Sequence, residues 1–98
     1  MPALDKIIHE RARLLILTHL ASHEKTAVSF NALQDHLGLT SGNLSVQLKK
    51  LSQVGFVDIQ KTFKDNKPYT TVSITSKGTV ALHRYLDEME GLIKTLRK

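Results

Sequence analysis

Asn43 and Gln47 stand four residues apart, and each side-chain amide carries the donor and acceptor that match the N6/N7 edge of adenine in a major groove. Beside them, Ser45 suits a phosphate or a base edge, and Val46 suits the methyl group of thymine. Lys49 and Lys50 follow at once, with Lys61, Lys64 and Lys67 further on. An ammonium group is a point charge fitted to phosphate rather than to sequence readout. Taken one at a time, each lysine is equally well read as part of a solvated face. Taken together, the amides and lysines address duplex DNA.

These groups can act together only if a helix turns them to one side. At about 100° per residue, Leu44, Leu48 and Leu51 share a narrow arc that faces a core. The opposite side then presents Gly42, Asn43, Val46, Lys49, Lys50 and Gln53, flanked by Ser45 and Gln47. The predicted helix spans 41–54, with Thr40 as its cap, Ser41 at its start and Gly55 as its stop. Gly42 lets the start of the helix approach a partner closely. A bracing helix is predicted over 29–37, capped by Ser29 and buried through Phe30, Leu33 and Leu37. Gly38 permits a left-handed end, and Leu39 plugs the turn. This is the layout of a helix-turn-helix, whose second helix enters a groove about 12 Å wide.

After it, Val57 and Ile59 alternate with polar residues, as do Val72 and Ile74, so 56–75 is predicted to be a hairpin with one buried face. Its expected connection is Lys64-Asp65-Asn66-Lys67-Pro68, which places Asn66 with Lys61, Lys64 and Lys67 where a phosphate backbone would be gripped. Thr26 to Val28 is a candidate short strand. A first helix is predicted over 4–21 with two apolar sides, one of them built from Leu4, Ile7 and Ile8. The last helix, 76–97 and capped by Thr75 or Ser76, repeats Ala81, Leu82, Tyr85, Leu86, Met89, Leu92, Ile93 and Leu96 at spacings of three and four. A small core cannot cover so long a stripe. The expectation is a homodimer joined through Leu4, Ile7, Ile8, Leu82, Tyr85, Leu86, Met89, Leu92, Ile93 and Leu96, the alternative being a helix folded back across its own domain.

Ninety-eight residues, 41% of them hydrophobic, fit a single domain, 1–98, of class α+β and mostly helical. The chain has no cysteine, which excludes disulfides and thiolate metal sites. Neither a leader nor a membrane span is expected from the charged start, which implies a cytoplasmic protein. The net charge of +5 is unevenly placed: residues 1–48 balance four bases against four acids, whereas 49–67 hold five lysines against Asp58 and Asp65. Positive charge thus begins where the proposed reading helix ends.

Five histidines raise the question of a metal. His19 and His23 are four apart, as are His83 and Asp87, and the latter pair could join its copy across a dimer. Two ligands do not make a site, so neither metal nor cofactor is expected; His9 and His36 read as partly exposed polar residues. No phosphate loop, nucleophile elbow or dinucleotide fingerprint is present, so an enzyme is not expected.

The segments Arg13-Leu14-Leu15-Ile16-Leu17, Leu39-Thr40-Ser41-Gly42-Asn43-Leu44-Ser45, Leu51-Ser52-Gln53-Val54-Gly55-Phe56-Val57 and Thr75-Ser76-Lys77-Gly78 occur in an order that resembles compact winged helix-turn-helix transcriptional regulators of bacteria and archaea, related to the MarR and ArsR groups. The resemblance implies a two-stranded wing, terminal dimerisation helices and a homodimer on a pseudo-palindromic operator, with recognition helices in successive major grooves and wings beside the backbone or minor groove. A small-molecule effector would lie between the DNA-binding part and the dimer helices, although no residue set announces one. The paired cysteines of ArsR-like metal sensors are absent. Lys64, Asn66 and Lys67 stand where many MarR-like wings carry aspartate and arginine. A winged helix used for protein contacts is the alternative, since a fold does not fix a function.

Overall fold

The computed structural model describes residues 4–23 and 26–97. Glu24 and Lys25, between the predicted first helix and the candidate short strand, lie outside these residues. The elements run α1 (Arg11–Ala21), β1 (Val28–Ser29), α2 (Phe30–Leu37), α3 (Ser41–Gln53), β2 (Val57–Lys64), β3 (Lys67–Ile74) and α4 (Ser76–Leu96). The sheet is antiparallel in the order β1-β3-β2.

The helix-turn-helix forms where its caps require it. Ser29 accepts from the Ala32 amide, Gly38 is left-handed at φ 66°, and Thr40 accepts from the Asn43 amide. Leu33, Leu44, Leu48 and Leu51 are buried, and they meet Ile16, Leu17 and Leu20 of α1 and Val72 of β3 in one core. Burying each such side chain contributes about 1.5–3 kcal/mol before entropy is counted.

The first helix is shorter than the predicted 4–21. It begins at Arg11 because the Glu10 carboxylate accepts from the Ala12 and Arg13 amides and so acts as its cap. Upstream, Asp5 accepts from the Ile7 and Ile8 amides and closes a separate turn. Two short acidic side chains therefore divide what the apolar spacing joined. The bend folds Ile8 into its own chain's core at 0% exposure, with Leu4 and Ile7 packed beside it. His9 Nδ1 lies 2.8 Å from the Tyr85 hydroxyl and ties the turn to α4.

The hairpin is also tighter than expected. Lys64 pairs with Lys67, leaving a two-residue turn of Asp65 and Asn66 at φ 53° and 62°. Asp and Asn tolerate that left-handed pair, which matches the strand twist. Pro68 consequently lies in the strand, opposite Phe63. In a two-residue hairpin the closing pair exchanges hydrogen bonds, so the next pair does not, and proline's missing donor falls on the unbonded side.

At the other end, Thr75 caps α4, donates its hydroxyl to the Gly55 carbonyl at 2.6 Å and receives the Gly78 amide. A Cβ on Gly78 would stand 2.2 Å from the Phe56 carbonyl oxygen, so only glycine lets α4 seat there. Beyond Met89 the helix leaves the core. Its outer half helps draw the molecule out to 57 × 25 × 21 Å. Among the described residues no helix is long and apolar enough to cross a membrane.

Candidate nucleic-acid interface

With Leu44, Leu48 and Leu51 turned inward, α3 exposes Ser41, Gly42, Asn43, Ser45, Val46, Lys49 and Lys50, and its cap Thr40 is exposed as well. Val46 is 51% exposed, an apolar group that its own chain leaves half in water. A side chain added at Gly42 would meet nothing within 4 Å, so the helix start is open to close approach.

Gln47 departs from the expected free reader of adenine. It is half-buried; its Oε1 accepts from Arg13 Nη1 at 2.7 Å, and its Nε2 donates to Asn43 Oδ1 at 3.0 Å. Arg13 is 9% exposed, donates Nε to the Ile7 carbonyl at 2.5 Å, and has the Glu10 carboxylate 3.8 Å away. A buried guanidinium is tolerated only with such partners. Sequence reasoning missed Arg13, whose one signal was a lone charge inside the apolar run Ala12 to Leu17.

The hairpin lysines divide between two faces. Directly opposed residues in an antiparallel pair share a face. Val57, Ile59, Lys61 and Phe63 therefore lie with Ile74, Val72, Thr70 and Pro68 on the core-facing side. Lys64 and Lys67 point to the other side, with Asn66 at the tip. Lys61 joins Lys49, Ser45, Ser52 and Gln53 around a groove of about 690 Å³ between α3 and the hairpin, floored by Phe30, Leu48 and Ile59. Lys64 Nζ sits 5.0 Å from the Tyr69 ring centroid, a contact worth about 0.5–1 kcal/mol when exposed. Phe63 was not singled out from sequence, yet at 77% exposure it is an uncovered aromatic beside these lysines. Its signal was the Val57–Ile59 alternation continuing past the reach of the core.

The ten proposed dimer residues also separate. Ile8, Leu82 and Tyr85 are at most 2% exposed within their own chain, so they have nothing left to bury against a second copy. Leu4, Ile7 and Met89 are half-buried against the same core, and Leu92 is half-buried. Leu86, Ile93 and Leu96 remain uncovered at 44%, 42% and 75%. The stripe reads as continuous in sequence because helix period does not reveal where the core ends.

His83 and Asp87 are exposed on α4, and no group of three or more His, Asp or Glu among the described residues is arranged to hold a metal. His19, His23 and His36 instead cluster with their rings tilted against one another, the centroids 4.7 Å apart for His19–His23 and 4.4 Å for His19–His36. His36 thus has neighbours that its sequence did not reveal. Burial, then the charges of His36 and His23, hold His19 below the ordinary imidazole value of 6.5.

A family model described as a winged helix DNA-binding domain matches residues 12–93. A transcriptional regulator homologue protein from Pyrococcus horikoshii OT3 shares the fold at a TM-score of 0.85 with 31% identity, over 92% of this chain and 87% of that one. MepR of Staphylococcus aureus, solved as a complex with DNA, shares the fold at a TM-score of 0.75 with 14% identity, over 94% of this chain and 73% of that one. An uncharacterised protein of Methanocaldococcus jannaschii is 38% identical over 91 residues, 93% of this chain and 97% of that one. The element order, the capped helix-turn-helix and the three-stranded sheet with its hairpin agree with all of this. The chain belongs to the winged helix DNA-binding domain family.

Proposed function

We propose that the protein is a sequence-specific transcriptional regulator that binds double-stranded operator DNA as a homodimer. In this reading α3 lies in the major groove and the β2–β3 hairpin follows the backbone or the adjacent minor groove. The observation that carries it is the two-sided character of α3, whose buried leucines oppose an exposed face of small and polar residues edged by Lys49 and Lys50. The groove beyond that face, with Lys49 on one wall and Lys61 on the other, supports passage of a phosphate strand between helix and hairpin. Thr40, Ser41, Gly42, Asn43, Ser45 and Val46 form the base-facing set, Lys49, Lys50, Lys61, Lys64, Asn66 and Lys67 the backbone set.

Leu86, Ile93 and Leu96 support dimerisation through the outer half of α4, because three large apolar groups on one helix otherwise stay in water. The resulting two-fold axis would place two α3 helices on a pseudo-palindrome. The protein works as a binding protein in the cytoplasm, with no reaction of its own.

Sedimentation analysis combined with selection of bound duplexes from a random pool tests this reading. A species of twice the chain mass and an enriched two-fold repeat are the expected results. Salt-insensitive indifference to every duplex would decide for a winged helix that contacts protein instead.

A further inference from the structure

We infer that Arg13 and Gln47 are positioning residues that fix which way the Asn43 amide faces, so that Asn43 meets DNA with its amino group and reads guanine. This rests on the reading of α3 as the recognition helix and names what one of its side chains selects.

The polarity of the network follows from donor and acceptor inventories. A guanidinium has donors and no acceptor. The Gln47 atom 2.7 Å from Arg13 Nη1 must therefore be Oε1, and Nε2 is the atom left to face Asn43. Nε2 has no lone pair to offer, so only Oδ1 of Asn43 can receive it, at 3.0 Å. Asn43 Nδ2 is then the end turned away from Gln47. Arg13 cannot turn to release this order, because its Nε is held by the Ile7 carbonyl and its side chain is buried. One buried cation thus orients two amides in succession, the second of them exposed.

The consequence is chemical. A free asparagine can present donor and acceptor together and match adenine. Here the acceptor is engaged by Gln47 and the end turned away from it is an NH₂ group. Among major-groove edges, that of guanine alone offers two acceptors, N7 and O6, and no donor; thymine offers the single O4 beside its methyl group, and adenine and cytosine display amino groups. Gln47 is the holder rather than the reader, and Arg13 anchors it from another helix.

The test is selection of bound duplexes from a random pool by the full chain, its Asn43→Ala and its Gln47→Glu variants. Glutamate keeps the pairing with Arg13 but can only accept from Asn43, so the helix stays braced while the asparagine amide turns over, gives its Nδ2 to the carboxylate and exposes Oδ1 instead. The expected wild-type result is a guanine at one step of each half-site. Asn43→Ala should abolish the preference at that step alone, and Gln47→Glu should reduce it at least about threefold there while other steps hold. An unchanged preference in Gln47→Glu, or an equal loss at every step, would overturn the inference and leave the regulator reading standing. Failure of the wild type to enrich any sequence would overturn both. Proton exchange in the DNA-free protein provides a second measurement: the Gln47 side-chain amide should exchange more slowly than that of exposed Gln53. Equal rates would also overturn the inference.

Discussion

The recognition helix and the hairpin both carry lysines toward the same proposed partner, but they are held in opposite ways. Helix α3 buries three leucines, takes its cap from Thr40 and has Gln47 fastened to Arg13. In the hairpin every residue from Gln60 to Pro68 is exposed, and its outer end is held by its own ladder. The difference matches two kinds of work. Reading a base requires a side chain fixed to within a fraction of an ångström, since a misaligned hydrogen bond discriminates poorly. Neutralising phosphate requires charge nearby, which a loosely held lysine provides.

The largest expected effect would break that comparison if it failed. Leu48→Ala, beneath α3, should lower stability by about 2–5 kcal/mol in chemical denaturation, whereas Phe63→Ala on the hairpin should change it by no more than about 0.5 kcal/mol. Comparable losses at the two positions would mean that the hairpin is as tightly built into the fold as the helix.

Charge on α4 tests whether the bracing extends to a second copy. Leu86→Arg with Ile93→Arg should convert a dimer to a monomer in sedimentation while leaving the melting temperature of the fold within a few degrees, about the size of a 0.5 kcal/mol surface effect. Leu82→Arg, by contrast, should unfold the chain, because Leu82 is buried in its own core.

Smaller in affinity, but sharper on division of labour, is the salt dependence of DNA binding. Lys64→Ala with Lys67→Ala should make the slope of log K against log salt shallower by up to about 0.9 per lost phosphate contact, with the selected sequence unchanged. Asn43→Ala should leave the slope alone. If the hairpin variant altered base preference instead, the assignment of reading to α3 and gripping to β2–β3 would be reversed.

The smallest effect concerns the brace itself. His19 has a lowered affinity for protons in the folded chain, so the unfolded chain binds more protons. Its contribution is fully present above pH 6.5 and is lost progressively as pH falls from 6.5 toward the lowered folded value. Denaturation midpoints measured across this range should therefore fall on acidification, and His19→Gln should flatten the curve. Nothing comparable is expected from the hairpin.

Legibility in the sequence followed the range of the interactions involved. Ser29, Gly38 and Thr40 act on backbone groups three or four residues away, and the leucine arcs repeat within one helix, so α2, the turn and α3 could be read directly. The start of α1 could not, because Leu4, Ile7 and Ile8 keep helical spacing while Asp5 and Glu10 divert the backbone into separate turns. Pro68 signalled a loop although it occupies the unbonded position of a ladder pair. Gln47 looked free because its partner lies thirty-four residues earlier and is a buried arginine, a placement that no local pattern announces. The same limit governed α4: its period was visible, but the point at which the domain's own core gives out was not.

The seat of α4 on the exit of α3 has a mechanical consequence. Thr75 grips the Gly55 carbonyl, its backbone amide donates to the Phe56 carbonyl, and Gly78 presses against that same residue. In the proposed dimer such a joint leaves little play, and the two α3 helices become the tips of a calliper whose opening is fixed by the crossing of two α4 rods. Operator spacing would then be gauged by steel rather than string: inserting half a helical turn between the half-sites should cost far more than changing any single base within one.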